Sequence, residues 1–138
     1  MTKLQTIRAA LAAAIAQALP DVPLYDTEEA ALGANVTRAV VIQPLDAEPG
    51  DTQMLAIQMV NQPFAVILFA RGVSPTDMIE SMDEVLTPAL AVQPPIGEVV
   101  NWQWLGDRWE HAAFGDGNYA IKRVVLQALY STGRGQRS

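Results

Sequence analysis

The chain has no cysteine and one histidine, and only 17% of its 138 residues are charged. Without cysteine there is no disulfide framework, no thiolate zinc site and no cysteine nucleophile, and the redox compartment stays open. The one histidine, His111, would have to serve any triad, zinc site or histidine base. It sits beside Glu110 in RWEHAAF, a segment of strand character in which neighbours point to opposite faces, so a surface or packed histidine is the plainer account. Nine lysines and arginines against fifteen acids leave a net charge of −6. That balance argues against nonspecific nucleic-acid binding, whose affinity comes from cations at phosphates. No run of about eighteen uninterrupted apolar residues occurs, so no segment reads as membrane-spanning. The patterns GxSxG and HExxH are missing, as is a glycine loop opening into a helix that would cradle phosphate.

What the chain does have is apolar content. Hydrophobic residues make up 50%, 21 of them alanine, enough for one domain over residues 1–131 with a core that needs no covalent staple. The polar segment 132–138 reads as a disordered C-terminal tail. Charge below the usual quarter of residues also points to apolar surface covered by partner subunits.

The opening MTKLQTIRAALAAAIAQALP has the basic start and apolar stretch of a secretion signal. Gln5, Arg8 and Gln17 interrupt that stretch, while Leu4, Ile7, Leu11, Ile15 and Leu19 recur at helical spacing, so the segment reads as an amphipathic helix. Its other face is largely Ala9, Ala10, Ala12, Ala13 and Ala16, small side chains that let another backbone approach. Residues 20–32 read as a connector. VTRAVVIQPL is a strand ending near Pro44, and DAEPGD (Asp46 to Asp51) an exposed turn or hairpin tip. TQMLAIQMVN and PFAVILFARG are two further strands, and the continuous run Phe64 to Ala70 suits a central strand covered on both faces.

Ser74, Pro75 and Asp77 form a strong helix start. Met78, Ile79, Met82, Val85, Leu86 and Leu90 then line one side, and Pro88 should kink or end the helix. VVNWQWL and RWEHAAF read as the two arms of a hairpin turning at Gly106 and Asp107, with a second turn at Gly115 to Gly117. NYAIKRVVLQALY closes the chain as a long strand whose apolar phase slips, as a bulge near Lys122 and Arg123 would cause. The fold class is therefore α+β: an antiparallel or mixed sheet of about four strands, an N-terminal helix, a second helix packed on the sheet, and a C-terminal β-hairpin.

Catalytic chemistry finds little support. The acid pairs Glu28/Glu29 and Asp83/Glu84 read as solvated, without the desolvation that makes a general acid. Asp46, Glu48 and Asp51 lack calcium-loop spacing and the terminal glutamate. Trp102, Trp104 and Trp109, read as one hairpin, form either a packed cluster or an aromatic anchor for a neighbouring subunit.

The order of these elements resembles the tail terminator proteins of long-tailed bacteriophages. The segments that carry the resemblance are TIRAALAAAIAQALPDVPLYD, AVVIQPLDAEPGDTQMLAIQMV with FAVILFARG, PTDMIESMDEVLTPAL, and NWQWLGDRWEHAAFGDGNYAIKRVVLQALY. The resemblance implies a virion structural protein at the head-proximal end of the tail, assembled in the host cytoplasm. Such a protein forms a homo-hexameric ring that caps the tail tube, stops its polymerisation and meets the head–tail connector protein. It also implies no catalysis, no cofactor, no metal, no membrane, and DNA passing through a pore without specific binding. On that reading Ala9, Ala13, Trp102, Trp104 and Trp109 are candidates for the subunit interface, and Asp46, Glu48 and Asp51 for a loop facing the tail tube or the lumen. Two alternatives remain open: another neck or tail-completion protein, or a cytoplasmic small-molecule-binding domain or enzyme.

Overall fold

The computed structural model describes residues 3–33, 36–46, 48–54, 57–91, 99–114 and 117–133. Helix α1 spans Lys3–Ala18, followed by strand β1 (Leu24–Tyr25), helix α2 (Glu28–Gly33) and strand β2 (Arg38–Pro44). Strands β3 (Glu48–Met54) and β4 (Ile57–Gly72), helix α3 (Pro75–Ala91), and strands β5 (Val99–Phe114) and β6 (Gly117–Gly133) complete the chain. The fold is α+β, as expected. The sheet has six strands rather than about four, in the order β1-β2-β4-β6-β5 with β3 also paired to β4. It is mixed because β1 runs parallel to β2 while the other pairs are antiparallel. The C-terminal hairpin belongs to this sheet.

Strand β4 is the spine. At 16 residues and roughly 3.3 Å per residue it is about 50 Å long, and no single neighbour on its outer side covers it. Its second half pairs with β2, from Phe64↔Pro44 to Ala70↔Arg38, and its first half with β3, from Ile57↔Met54 to Asn61↔Glu48. Pro63 falls at the gap between the two partners. Leu45 donates its amide to the Pro63 carbonyl at 2.9 Å, and in a strand a residue's N–H and C=O point to the same edge. The amide that proline lacks therefore faces the one place on that edge where no ladder bond is needed. The buried Gln62 side chain fills the gap, donating from Nε2 to the carbonyls of Leu45 (2.6 Å) and Pro63 (2.8 Å). The expected break between two strands near this proline is absent for that reason.

Even-numbered residues of β4 and β6 face the two long helices. Ile7, Leu11, Ile15 and Leu19 of the α1 stripe, and Ile79, Met82, Leu86 and Leu90 of α3, close over Val60, Phe64, Val66, Leu68, Val124, Leu126 and Tyr130. Each fully buried aliphatic side chain contributes about 1.5–3 kcal/mol, so this layer holds most of the stability. Leu4 is only partly buried against the cluster, and Ala10 and Ala12, expected on the open side of α1, also pack against it. Val85 is 49% exposed rather than in the core. The α3 start follows expectation, with the Met78 amide donating to the Ser74 carbonyl at 3.2 Å. Pro88 does not end the helix, which continues to Ala91.

Odd-numbered residues face the other side. Ala39, Val41, Ala65, Ile67, Phe69 and Ile121 form a smaller cluster with Ala31 of α2. The segment 20–32 is thus more than a connector: it contains β1 and α2, and Thr27 caps the helix by accepting the Ala30 amide on Oγ1 at 3.1 Å. Strand β6 has no bulge. Its register against β4 runs unbroken from Gly133↔Ile57 to Asn118↔Gly72, and the apparent slip of phase arises because both of its faces are apolar. The strand also runs to Gly133, two residues into the expected tail.

The bulges lie on β5 instead, at Val99/Asn101 and Trp104/Gly106. No turn forms at Gly106: β5 passes straight through it, with Gly106 at φ 145°. The acidic segment is corrected as well. Asp46 is exposed in the β2–β3 connection, but Glu48 and Asp51 belong to β3, whose pairing shifts between Pro49 and Gln53. Three residues of β3 there, 50–52, oppose one of β4, Met59, so the segment bulges along an edge rather than forming a tip.

Candidate functional site

Lys122 and Arg123 are adjacent on β6, and their side chains go to opposite faces of the sheet. Each ties β5 to a different helix. On the α1/α3 face, Lys122 Nζ donates to Asp83 Oδ2 of α3 at 2.6 Å and lies 3.6 Å from Asp107 Oδ2 of β5. The same ammonium sits 5.2 Å from the centroid of the Trp109 ring, a cation–π contact. On the α2 face, Arg123 bridges Glu28 of α2 and Glu110 of β5. A third tie, Arg8 to Asp26, fixes α1 to the segment between β1 and α2.

These ties perturb the groups that make them. Burial disfavours the Lys122 charge, but the hydrogen bond to Asp83 and the charges of Asp83 and Asp107 outweigh it and raise the pKa above the usual 10.5. The hydrogen bond from Arg123 holds Glu110 below the ordinary 4.5. Arg123 is raised, first by that bond to Glu110. All three shifts favour the charged forms, the behaviour of structural ion pairs rather than of groups that exchange protons near neutral pH. Asp83 and Glu28, expected on solvated faces, are thus partly buried members of two charge clusters.

An open depression of about 430 Å³ runs along α3 past Glu80, Asp83, Glu84, Thr87 and Pro88. Glu80 and Glu84 are exposed there, so it holds no desolvated acid pair. Among the described residues no group of three or more histidines and acids is placed to hold a metal ion, and no helix is long and apolar enough to cross a membrane.

The sequence-derived interface residues fall on separate surfaces. Ala9 and Ala13 are exposed on the outer side of α1 together with Ala16. Trp109 is half-buried and packs against the core cluster. Trp102 and Trp104 take register opposite Ala128 and Leu126, so all three tryptophans lie on one continuous strand and not across a hairpin. The side chains of Trp102 and Trp104, like those of His111, Glu48 and Asp51, lie outside the described residues. On the far face of the sheet, beyond α2, Pro63, Val125, Gln127 and Leu129 continue as a half-buried, uncharged surface.

Sequence reasoning missed Lys122, Arg123, Asp83, Asp107, Glu110 and Glu28 as a set. The available signal was two adjacent cations inside an otherwise apolar strand, which need carboxylates on both faces. In comparison with known proteins, the chain matches no family model and no curated protein.

Proposed function

We propose that this chain is a virion structural protein, the tail terminator of a long-tailed bacteriophage, working as a ring that caps the tail tube. The observation that carries the reading is a pair of unlike, uncharged surfaces on opposite sides of one sheet. One is the exposed alanine face of α1 at Ala9, Ala13 and Ala16; the other is the far-face surface at Pro63, Val125, Gln127 and Leu129. A ring closed by rotation needs a head-to-tail contact between two different patches, and small side chains on a helix suit close approach to a flat sheet. The acidic net charge of −6 suits a pore that passes DNA without gripping its phosphates.

On this reading the part is structural, its partners being further copies of itself, the tail tube protein and the head–tail connector protein. The ion pairs of Lys122 and Arg123 keep the subunit rigid so that its patches hold a fixed angle. The β2–β3 connection and the β3 edge, with Asp46, Glu48 and Asp51, face the tube or the lumen.

The test is a tube-elongation assay. Added to polymerising tail tube protein, the chain should stop growth at substoichiometric amounts and leave tubes of fixed length. Tubes that lengthen at an unchanged rate in its presence would count against the reading.

A further inference from the structure

Among the described residues, one stretch of the sheet's edges is left without proline, bulge or cap: the second half of β5. Natural edge strands avoid unwanted pairing by being short, by carrying proline or bulges, or by having their backbone groups capped. Strand β1 has only two residues. Beside it, Arg8 donates to the Ile42 carbonyl at 3.3 Å, and β2 ends at Pro44. Strand β3 carries Pro49 and the shift of register before Gln53. Strand β5 carries its two bulges before Gly106; among the described residues it pairs with β6 alone, contains no proline, and from Gly106 to Phe114 keeps an unbroken register.

We propose that this outer edge of β5 pairs with the same edge of a second copy of the chain, antiparallel and centred on Trp109. The charge sequence selects both the occupant and the register. Around Trp109 the order is Asp107, Arg108, Trp109, Glu110, His111, in which the opposite charges of Arg108 and Glu110 exchange places on reversal. A two-fold axis at Trp109 sets Arg108 opposite Glu110 of the second copy and Asp107 opposite its His111, each twice. Centring one residue earlier puts Arg108 against Arg108, and one residue later puts Glu110 against Glu110. Like charges directly opposite destabilise a strand pair, and opposite charges stabilise it.

The monomer is arranged for this contact. Arg108 is exposed, and it takes register opposite Arg123 on β6, on the face where Glu110 already meets the Arg123 guanidinium. Glu110 would then lie between two cations, one from each copy. On the other face the two Trp109 rings come side by side across the axis, each beside its own Lys122. The contact joins like edges, so it is a two-fold contact and does not rest on the ring reading, which needs unlike patches.

Sedimentation equilibrium of the full chain tests it. Wild type should associate through a two-fold step, and Arg108→Glu and Glu110→Lys should each weaken that step about tenfold or more, because each places like charges opposite one another twice. An equimolar mixture should regain association, since the new glutamate of one chain then faces the new lysine of the other. Circular dichroism tests whether each variant folds. Arg108→Glu, at an exposed position outside the Lys122 and Arg123 ties, keeps the test decisive if Glu110→Lys does not. Unchanged association of Arg108→Glu, a wild-type chain without a two-fold step, or folded variants that fail to rescue each other would each overturn the proposal.

Discussion

Replacing Lys122 by methionine removes the ammonium that joins α3, β6 and β5 while keeping most of the aliphatic stem. The hydrogen bond to Asp83 is short and its two side chains are only 11% and 22% exposed, so its loss belongs in the range of about 1.5–3 kcal/mol for charged hydrogen bonds. Asp107 is 49% exposed and 3.6 Å away, and solvent screening reduces that limb to about 0–0.5 kcal/mol. The cation–π contact with Trp109 adds about 0.5–1 kcal/mol. The sum is about 3 kcal/mol, or roughly 10 °C in Tm for a domain of this size. Urea unfolding followed by far-ultraviolet circular dichroism should show a lower midpoint at unchanged slope. A double-mutant cycle with Asp83→Asn should return a coupling of about 1–2 kcal/mol. A Lys122→Met chain within about 0.5 kcal/mol of wild type, or an additive cycle, would refute the idea that this lysine bolts the layers together.

The remaining predictions concern pH, β5 and the α1 surface. Because the folded pKa of Lys122 is raised, its contribution is complete below the usual 10.5 and fades as pH climbs through the folded value. The gap in stability between wild type and Lys122→Met should therefore narrow in alkaline urea titrations. Glu110 is depressed below 4.5, so its contribution is present above that value and lost as pH falls through the folded pKa; Glu110→Gln should flatten the acid limb of the stability profile. Gly106 has φ 145° with open space where a Cβ would go, so Gly106→Ala should cost about 1–3 kcal/mol from backbone strain alone, read as a lower urea midpoint. Ala13→Glu, on the exposed side of α1, should leave Tm within about 2 °C yet abolish capping in the elongation assay.

Much of the architecture was legible where one periodicity governs. The stripe Ile7, Leu11, Ile15 and Leu19 is buried at 0–7% exposure, as its spacing requires, and the Ser74–Pro75 start of α3 follows from capping chemistry. The run Phe64 to Ala70 does lie centrally, between β2 and β6. Legibility fell where tertiary context overrides local rules. Pro63 looks like a strand breaker until the gap between β2 and β3 is known, and Gly106 looks like a turn until β6 is seen to run past it. Strand β6 reads as out of phase because alternation carries no signal when both faces are covered. The charge clusters were the least visible part, since Lys122 and Asp83 are 39 positions apart and Arg123 and Glu28 are 95 apart.

The ring itself is the central claim, and electron microscopy of the negatively stained chain, alone and mixed with tail tubes, addresses it most directly. Six-fold rings with a central hole, seated at one end of each tube, are the predicted result. Tubes with bare ends, beside a chain that forms no closed ring at any concentration, would contradict it.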